Sequence, residues 1–240
     1  MRTGTRKWLA IFPEAMFADR MRSSLASLCV LLLGFLVLAR AETPPAHPFE
    51  KEILAFEEAD KQNPPPKGAV LFTGASSIRL WKTLAQDFPG ITVINRGFGG
   101  SQLSDSIYFA DRISIHYAPK TIVIQAGGND INAHKTPEQV LADFKEYVTK
   151  VRAALPDVKI IFLNLGPSPK RWEQREAQQK ANALVREYIG TEKNLVYVDL
   201  WPSSIGSDGL PKPELYVADQ LHPSAAAYAI RAELLRPLLP

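Results

Sequence analysis

The chain has 240 residues, 46% hydrophobic and 22% charged, which suits one domain with a substantial core and a removable leader. Its formal net charge of +3 is a property of the first 41 residues, which hold six of the 28 basic and two of the 25 acidic side chains; the rest balances at 22 against 23. The basic sequence pI therefore gives no footing for a nucleic-acid partner. The single cysteine, Cys29, also lies in that segment, which excludes a disulfide, a thiol nucleophile and a zinc–cysteine site from the remainder.

In chain order, residues 25–39 come first, an uncharged apolar run preceded by Arg20 and Arg22 and followed by Ala39-Arg40-Ala41. A positive n-region, a short h-region and an A-x-A site read as a secretory signal over residues 1–41, so an exported protein, periplasmic or extracellular, is expected. The run is shorter than the ~18–20 residues of a bilayer span; an uncleaved membrane anchor is the alternative. Trp8, Glu14 and Asp19 make an odd n-region; a start at Met21 would remove all three, and one at Met16 the first two. Leu28 before Cys29 is not the small residue of a lipoprotein signal.

Residues 42–67 are a proline-flanked segment with apolar Ile53, Phe56 and Ala59 at helical spacing over 49–61, a short amphipathic helix on the outside of the domain. From residue 68 the pattern is regular. Apolar runs at 69–72, 92–94, 121–124, 158–163 and 195–198 lack polar alternation and read as buried parallel strands. Helices alternate with them. Over 137–155, Thr136 caps, Pro137 takes the first turn, and Val140, Leu141, Phe144, Val148, Val151 and Leu155 recur at helical spacing until Pro156. Helices over 172–188 and 224–239 follow. Five strands alternating with helices predict a three-layer α/β/α fold, a doubly wound parallel sheet of flavodoxin-like type, over 68–240.

Four fragments sit on loops that such a sheet gathers beyond the carboxyl ends of its strands. In Gly74-Ala75-Ser76-Ser77, the glycine permits a tight turn and Ser76 starts a helix with its N–H free for an oxyanion; alone, it is as good a helix cap. Asn95-Arg96-Gly97-Phe98-Gly99-Gly100 fits neither phosphate-binding glycine pattern, and Gly100 offers an unobstructed N–H donor. In Gly127-Gly128-Asn129-Asp130 the Asn129 amide can donate to the same oxygen, or satisfy its own turn, and Asp130 ties the loop together. In Asp219-Gln220-Leu221-His222 the carboxylate can meet Nδ1–H and leave Nε2 as a base. Metal ligation by that pair finds no second histidine motif to complete a shell. His47, His116 and His134 lie in polar or connector contexts and are expected to face solvent.

Taken together, these fragments resemble the SGNH (GDSL-like) hydrolase superfamily over nearly all of 70–239, and most resemble its platelet-activating-factor acetylhydrolase subunit type. The resemblance implies the SGNH hydrolase fold and assigns nucleophile to Ser76 rather than Ser77, the oxyanion donors to Ser76, Gly100 and Asn129, and the remaining triad to Asp219 and His222. One position departs: the family usually has Asp where Ala75 stands. The triad is unaffected, but hydrogen bonds that shape the nucleophile loop are lost, to be replaced by neighbours such as Ser77 or to leave the site less organised.

The expectation is an exported serine esterase acting on short-acyl esters of a glycan or lipid, with no metal or organic cofactor and no nucleic-acid partner. Membrane association is expected only with the leader uncleaved. A carbohydrate-binding or assembly protein that has lost catalysis is the main alternative, and a metal-dependent phosphoesterase using Asp130, Asp219 and His222 ranks last. Arg79, Trp81 and the stretch 167–172 can rim the pocket or pack; packing is the reading taken here.

Overall fold

The structure is a computed structural model and describes residues 46–240 along with Met1; the body of the leader expected over 1–41 lies outside them. Five strands, β1 (Val70–Gly74), β2 (Val93–Gly97), β3 (Thr121–Gln125), β4 (Lys159–Leu163) and β5 (Leu195–Val198), form one parallel sheet in the order β2-β1-β3-β4-β5. This is the flavodoxin-like order, with the reversal of winding between β1 and β3. β1 and β3 are buried at every position, as strands covered on both faces must be, whereas β2 and β5 at the edges are partly exposed.

The first three strands run beyond their apolar cores. Pairing continues through Thr73↔Arg96, Gly74↔Gly97 and Gly74↔Gln125 because ladder bonds use the backbone, whatever the side chains. Polar Asn95 and Arg96 thereby become strand residues. Gly74 cannot be replaced at the end of β1: its φ is +118°, and a Cβ would lie 2.2 Å from the Gln125 carbonyl oxygen. Gly74→Ala is expected to cost about 3 kcal/mol or more, read as a lowered urea midpoint; an unchanged midpoint would mean the strand end relaxes freely.

Helices cover both faces. One apolar layer packs α4 (Leu103–Tyr108), α7 (Pro137–Ala154) and α8 (Arg175–Gly190) on the sheet through Leu103, Phe144, Tyr147, Val185 and their neighbours. The other packs α2 (Ser76–Arg79), α3 (Leu84–Asp87) and α10 (Ala225–Leu235) through Ile78, Leu84, Tyr228 and Leu235. Trp81 belongs to this layer, buried and stacked on Tyr228 at 4.9 Å, so it packs as expected. Arg79 is exposed.

Helix ends follow local chemistry. The Thr136 hydroxyl accepts from Gln139 N–H while the Gln139 side chain accepts from Thr136 N–H, a capping box that starts α7. α8 begins at Arg175, later than periodicity indicates, because Pro169–Gln174 forms a 3-10 turn in which Arg171 leaves helical angles. α10 stops at Leu235, since Pro237 in the following 3-10 turn has no N–H to continue it.

The N-terminal α1 (Glu50–Gln62) buries Ile53 against Phe98, Phe109 and Ile113 and is tied down by Arg112, which donates to both Glu50 and Glu57. His47 departs from its expected exposure. It stacks on Tyr108 at 4.6 Å, meets Phe109 edge-on, and places Nε2 3.3 Å from Asp105. Those partners come from α4 and the residue after it, so nothing near His47 in the chain announces them. His116 and His134 are exposed.

Candidate active site

The site is built where β1 and β3 lie side by side. Gly74-Ala75 carries the chain off β1 and Ser76 opens the four-residue α2. The turn is held by backbone: Ala75 N–H donates to Gln125 O at 3.0 Å and Phe98 N–H to Gly74 O at 2.9 Å. Two side chains grip the carbonyls beyond it, Asn95 Nδ2 on Ile78 O at 2.7 Å and Tyr228 Oη on Ser77 O at 2.9 Å. The Ser77 hydroxyl makes no hydrogen bond among the described residues, so it is not what compensates for Ala75. Backbone and the side chains of β2 and α10 do so, with no local trace in the sequence.

His222 reaches Ser76 from a loop before α10 shaped by a Val217 N–H to His222 O bond and by Gln220 at φ +59°. Asp219 Oδ1 accepts from the N–H of Leu221 and of His222, both at 2.9 Å, and its Oδ2 lies 2.6 Å from His222 Nδ1. His222 Nε2 lies 2.9 Å from Ser76 Oγ. A carboxylate can only accept, so it assigns the ring proton to Nδ1 and leaves Nε2 to accept from the serine hydroxyl.

The His222 backbone N–H, then the ring, then the Leu221 N–H hold the Asp219 carboxyl down to about 2. A depressed carboxyl contributes stability above its ordinary 3.8 and loses it as pH falls through the folded value, here a window between 3.8 and about 2. The amide proton shifts of Leu221 and His222 are therefore expected to titrate with a midpoint near 2; a midpoint near 3.8 would mean those bonds do not select the ionised form.

Asn129 lies in α6 (Gly128–Asn132), entered through Gly127 at φ +111°. One N–H of its Nδ2 donates to Ser101 O at 2.9 Å, and its Oδ1 accepts from Arg171 at 3.0 Å, so the second amide N–H is left over among the described residues. The N–H groups of Ser76 and Gly100 have no acceptor among the described residues. Gly100, at φ +85° with open space where a Cβ would stand, is linked to Asn129 through the carbonyl of Ser101 beside it. Asp130 is fully buried and committed, accepting from Leu103 N–H and Lys135 Nζ, which is the loop-tying arrangement expected of it.

Ser76, Asn129 and His222 border a cavity of about 90 Å³. Arg171 lines it too, as do Gln125, Gln178 and Arg231, which were not anticipated from sequence. Pro167, Ser168 and Arg171 make part of the 167–172 stretch a pocket wall, which corrects the packing reading for those residues. Arg231 had a usable signal. It follows buried Ala227 and Tyr228 by four and three positions, which puts a charge on the inward face of α10. Gly100 does not border this cavity.

A serine, an imidazole and a carboxylate hydrogen-bonded in series above the strand ends of a doubly wound α/β sheet suit acyl transfer, the chemistry of serine hydrolases. The GDSL-like lipase/acylhydrolase family model matches residues 68–230, and the chain belongs to that family; it is a carboxylic ester hydrolase of the SGNH fold. A platelet-activating factor acetylhydrolase IB subunit alpha1 from Pongo abelii is 29% identical over 190 residues, covering 75% of this chain and 78% of that protein. Among solved structures, a GDSL-like lipase from Bacteroides thetaiotaomicron superposes with a TM-score of 0.66 at 20% identity, over 78% of this chain and 96% of that one. A catalytic mutant of an acetylxylan esterase from Geobacillus stearothermophilus gives 0.55 at 17% identity, over 71% and 94%. These two likenesses are of fold.

Proposed function

We propose that the protein is an exported serine esterase that removes short acyl groups, acetyl above all, from a glycan or lipid. The observation that carries this is the unbroken series from Ser76 Oγ through His222 to Asp219, at 2.9 and 2.6 Å. In the proposed cycle Ser76 Oγ attacks the ester carbonyl as its proton passes to His222 Nε2, and Asp219 stabilises the imidazolium. The N–H groups of Ser76 and Gly100 and the spare Asn129 amide N–H receive the oxyanion. His222 then protonates the leaving alcohol, and water repeats the sequence on the acyl-enzyme.

The small cavity with charged walls supports a short acyl group, because a long apolar chain would set methylenes against two guanidiniums. The acetylxylan esterase and the platelet-activating factor acetylhydrolase subunit named above support an acetyl ester, on a glycan or a lipid respectively. The apolar run with its A-x-A site supports export, which N-terminal sequencing of the protein recovered from the envelope or medium tests: Glu42 is the expected first residue.

The experiment for activity is hydrolysis of a p-nitrophenyl ester series, with acetate cleaved at a higher kcat/KM than octanoate; no turnover of any member, or a preference for octanoate, would contradict the reading. Within it, Asn129→Ala is expected to lower kcat by a factor of hundreds, about 3 kcal/mol of barrier, with KM little changed. An unchanged kcat would remove Asn129 from the oxyanion site. The binding-protein alternative rested on Ala75, and the Ser76–His222–Asp219 series is complete without an acid at that position.

A further inference from the structure

The cavity beside Ser76 carries more positive charge than a neutral ester calls for. We infer that the ester cleaved there bears an anionic group, a carboxylate or phosphate, held by Arg171 and Arg231. This rests on the esterase reading above and names the class of its substrate.

Arg171 and Arg231 both line the cavity with Ser76 and His222. Among the described residues neither has a carboxylate partner: Arg171 donates to Gly128 O and Asn129 Oδ1, and Arg231 to Gln125 Oε1. The contrast with the rest of the molecule is direct. Arg96, Arg112 and Arg152 are each paired with Asp or Glu, while the uncompensated Arg186 and Arg236 are exposed to water. Both side chains are partly buried; burial lowers the guanidinium of Arg171 and pushes that of Arg231 down to about 10, and a guanidinium keeps its charge at neutral pH. The site's carboxylate, Asp219, is spent on His222 and backbone N–H groups and does not border the cavity.

A buried cation without a counter-ion is costly, and the cost is relieved when an anion arrives. Guanidiniums suit that anion because their planar donors match the two oxygens of a carboxylate or phosphate. Beside them Gln178 is buried, lines the same cavity, and has an Oε1 with no partner among the described residues, an acceptor for a hydroxyl or N–H next to the acid. The cavity thus offers donors for an anion and an acceptor for a neighbouring polar hydrogen, beside an apolar wall of Ala75, Ala126, Leu165 and Leu221.

Two matched pairs of esters test this on the wild-type protein, with spontaneous hydrolysis subtracted. Mono-p-nitrophenyl succinate against p-nitrophenyl butyrate puts the charge on the acyl side. para-Acetoxybenzoate and para-acetoxyphenyl phosphate against para-acetoxybenzamide put it on the alcohol side. In one arm the anionic member is expected to have the higher kcat/KM by about tenfold or more, with the advantage shrinking as salt rises; the arm that responds says which side of the ester carries the acid. Arg231→Gln and Arg171→Gln should each reduce the anionic-to-neutral ratio by about tenfold. The ratio is the readout because Arg171 also holds Asn129 and its loss slows every ester. Equal rates within about threefold in both arms, on an enzyme that turns over the neutral esters, would overturn the anion site and leave the esterase standing. No turnover of any ester, together with no fluorophosphonate adduct, would overturn the esterase and this inference with it. The wild-type pairs decide the matter even if neither variant folds.

Discussion

Ser76→Ala is expected to lower kcat by about a million-fold, because without Oγ no acyl-enzyme forms and the remaining donors can only steer water. The fold should be indifferent to the change. Ser76 Oγ makes one side-chain hydrogen bond, to His222 Nε2, and in its absence that nitrogen still faces a cavity open to water. The substitution therefore separates chemistry from stability: urea midpoints of the two proteins should agree while turnover collapses. A variant keeping more than about a hundredth of the wild-type rate would show that another group attacks, and Ser77 would be the first to test.

Asp219→Asn should cost about 10⁴ in kcat with KM nearly unchanged. Its carbonyl oxygen can still accept from the N–H groups of Leu221 and His222, so the loop keeps its form. Its amide, however, offers a hydrogen to His222 Nδ1 where the carboxylate accepted one. The ring proton then moves to Nε2, and the face toward Ser76 becomes a donor instead of a base. Asp219→Ala loses the ring contact and both backbone bonds, so it should show a stability loss that Asp219→Asn does not. A loss of less than tenfold in Asp219→Asn would mean that His222 is oriented by something other than this carboxylate.

The sheet was legible because its inner strands are covered on both faces and its partly exposed edge strands keep apolar runs without polar alternation; 195–198 matches β5 residue for residue, and 137–155 differs from α7 at its last residue alone. The strand ends at Gly74, Gly97 and Gln125 were not, since backbone pairing persists where side chains turn polar. Four loops following strands or preceding the last helix were enough to expect one convergent site, and Ser76, Asn129 and His222 do border one cavity. Its walls were much harder to read. Arg171 comes in through an irregular 3-10 turn, in the stretch 167–172, which reads as packing because nothing local distinguishes a rim from a packed loop. Gln178 reaches the cavity from the inward face of α8, three and seven positions before buried Ala181 and Val185, a face it shares with Asn182, whose side chain is bonded to the Leu165 backbone; its spacing marks it as inward but not as a cavity residue. The compensation for Ala75 is spread over Gln125, Asn95 and Tyr228, residues joined only by tertiary structure.

The most direct test of an activated serine at position 76 is mass spectrometry of the protein after treatment with a fluorophosphonate, on residues 42–240 and on its Ser76→Ala and Ser77→Ala variants. One adduct per chain, present in wild type and Ser77→Ala and absent from Ser76→Ala, is the predicted result. No adduct on the folded wild-type protein, or an adduct lost only in Ser77→Ala, would contradict it.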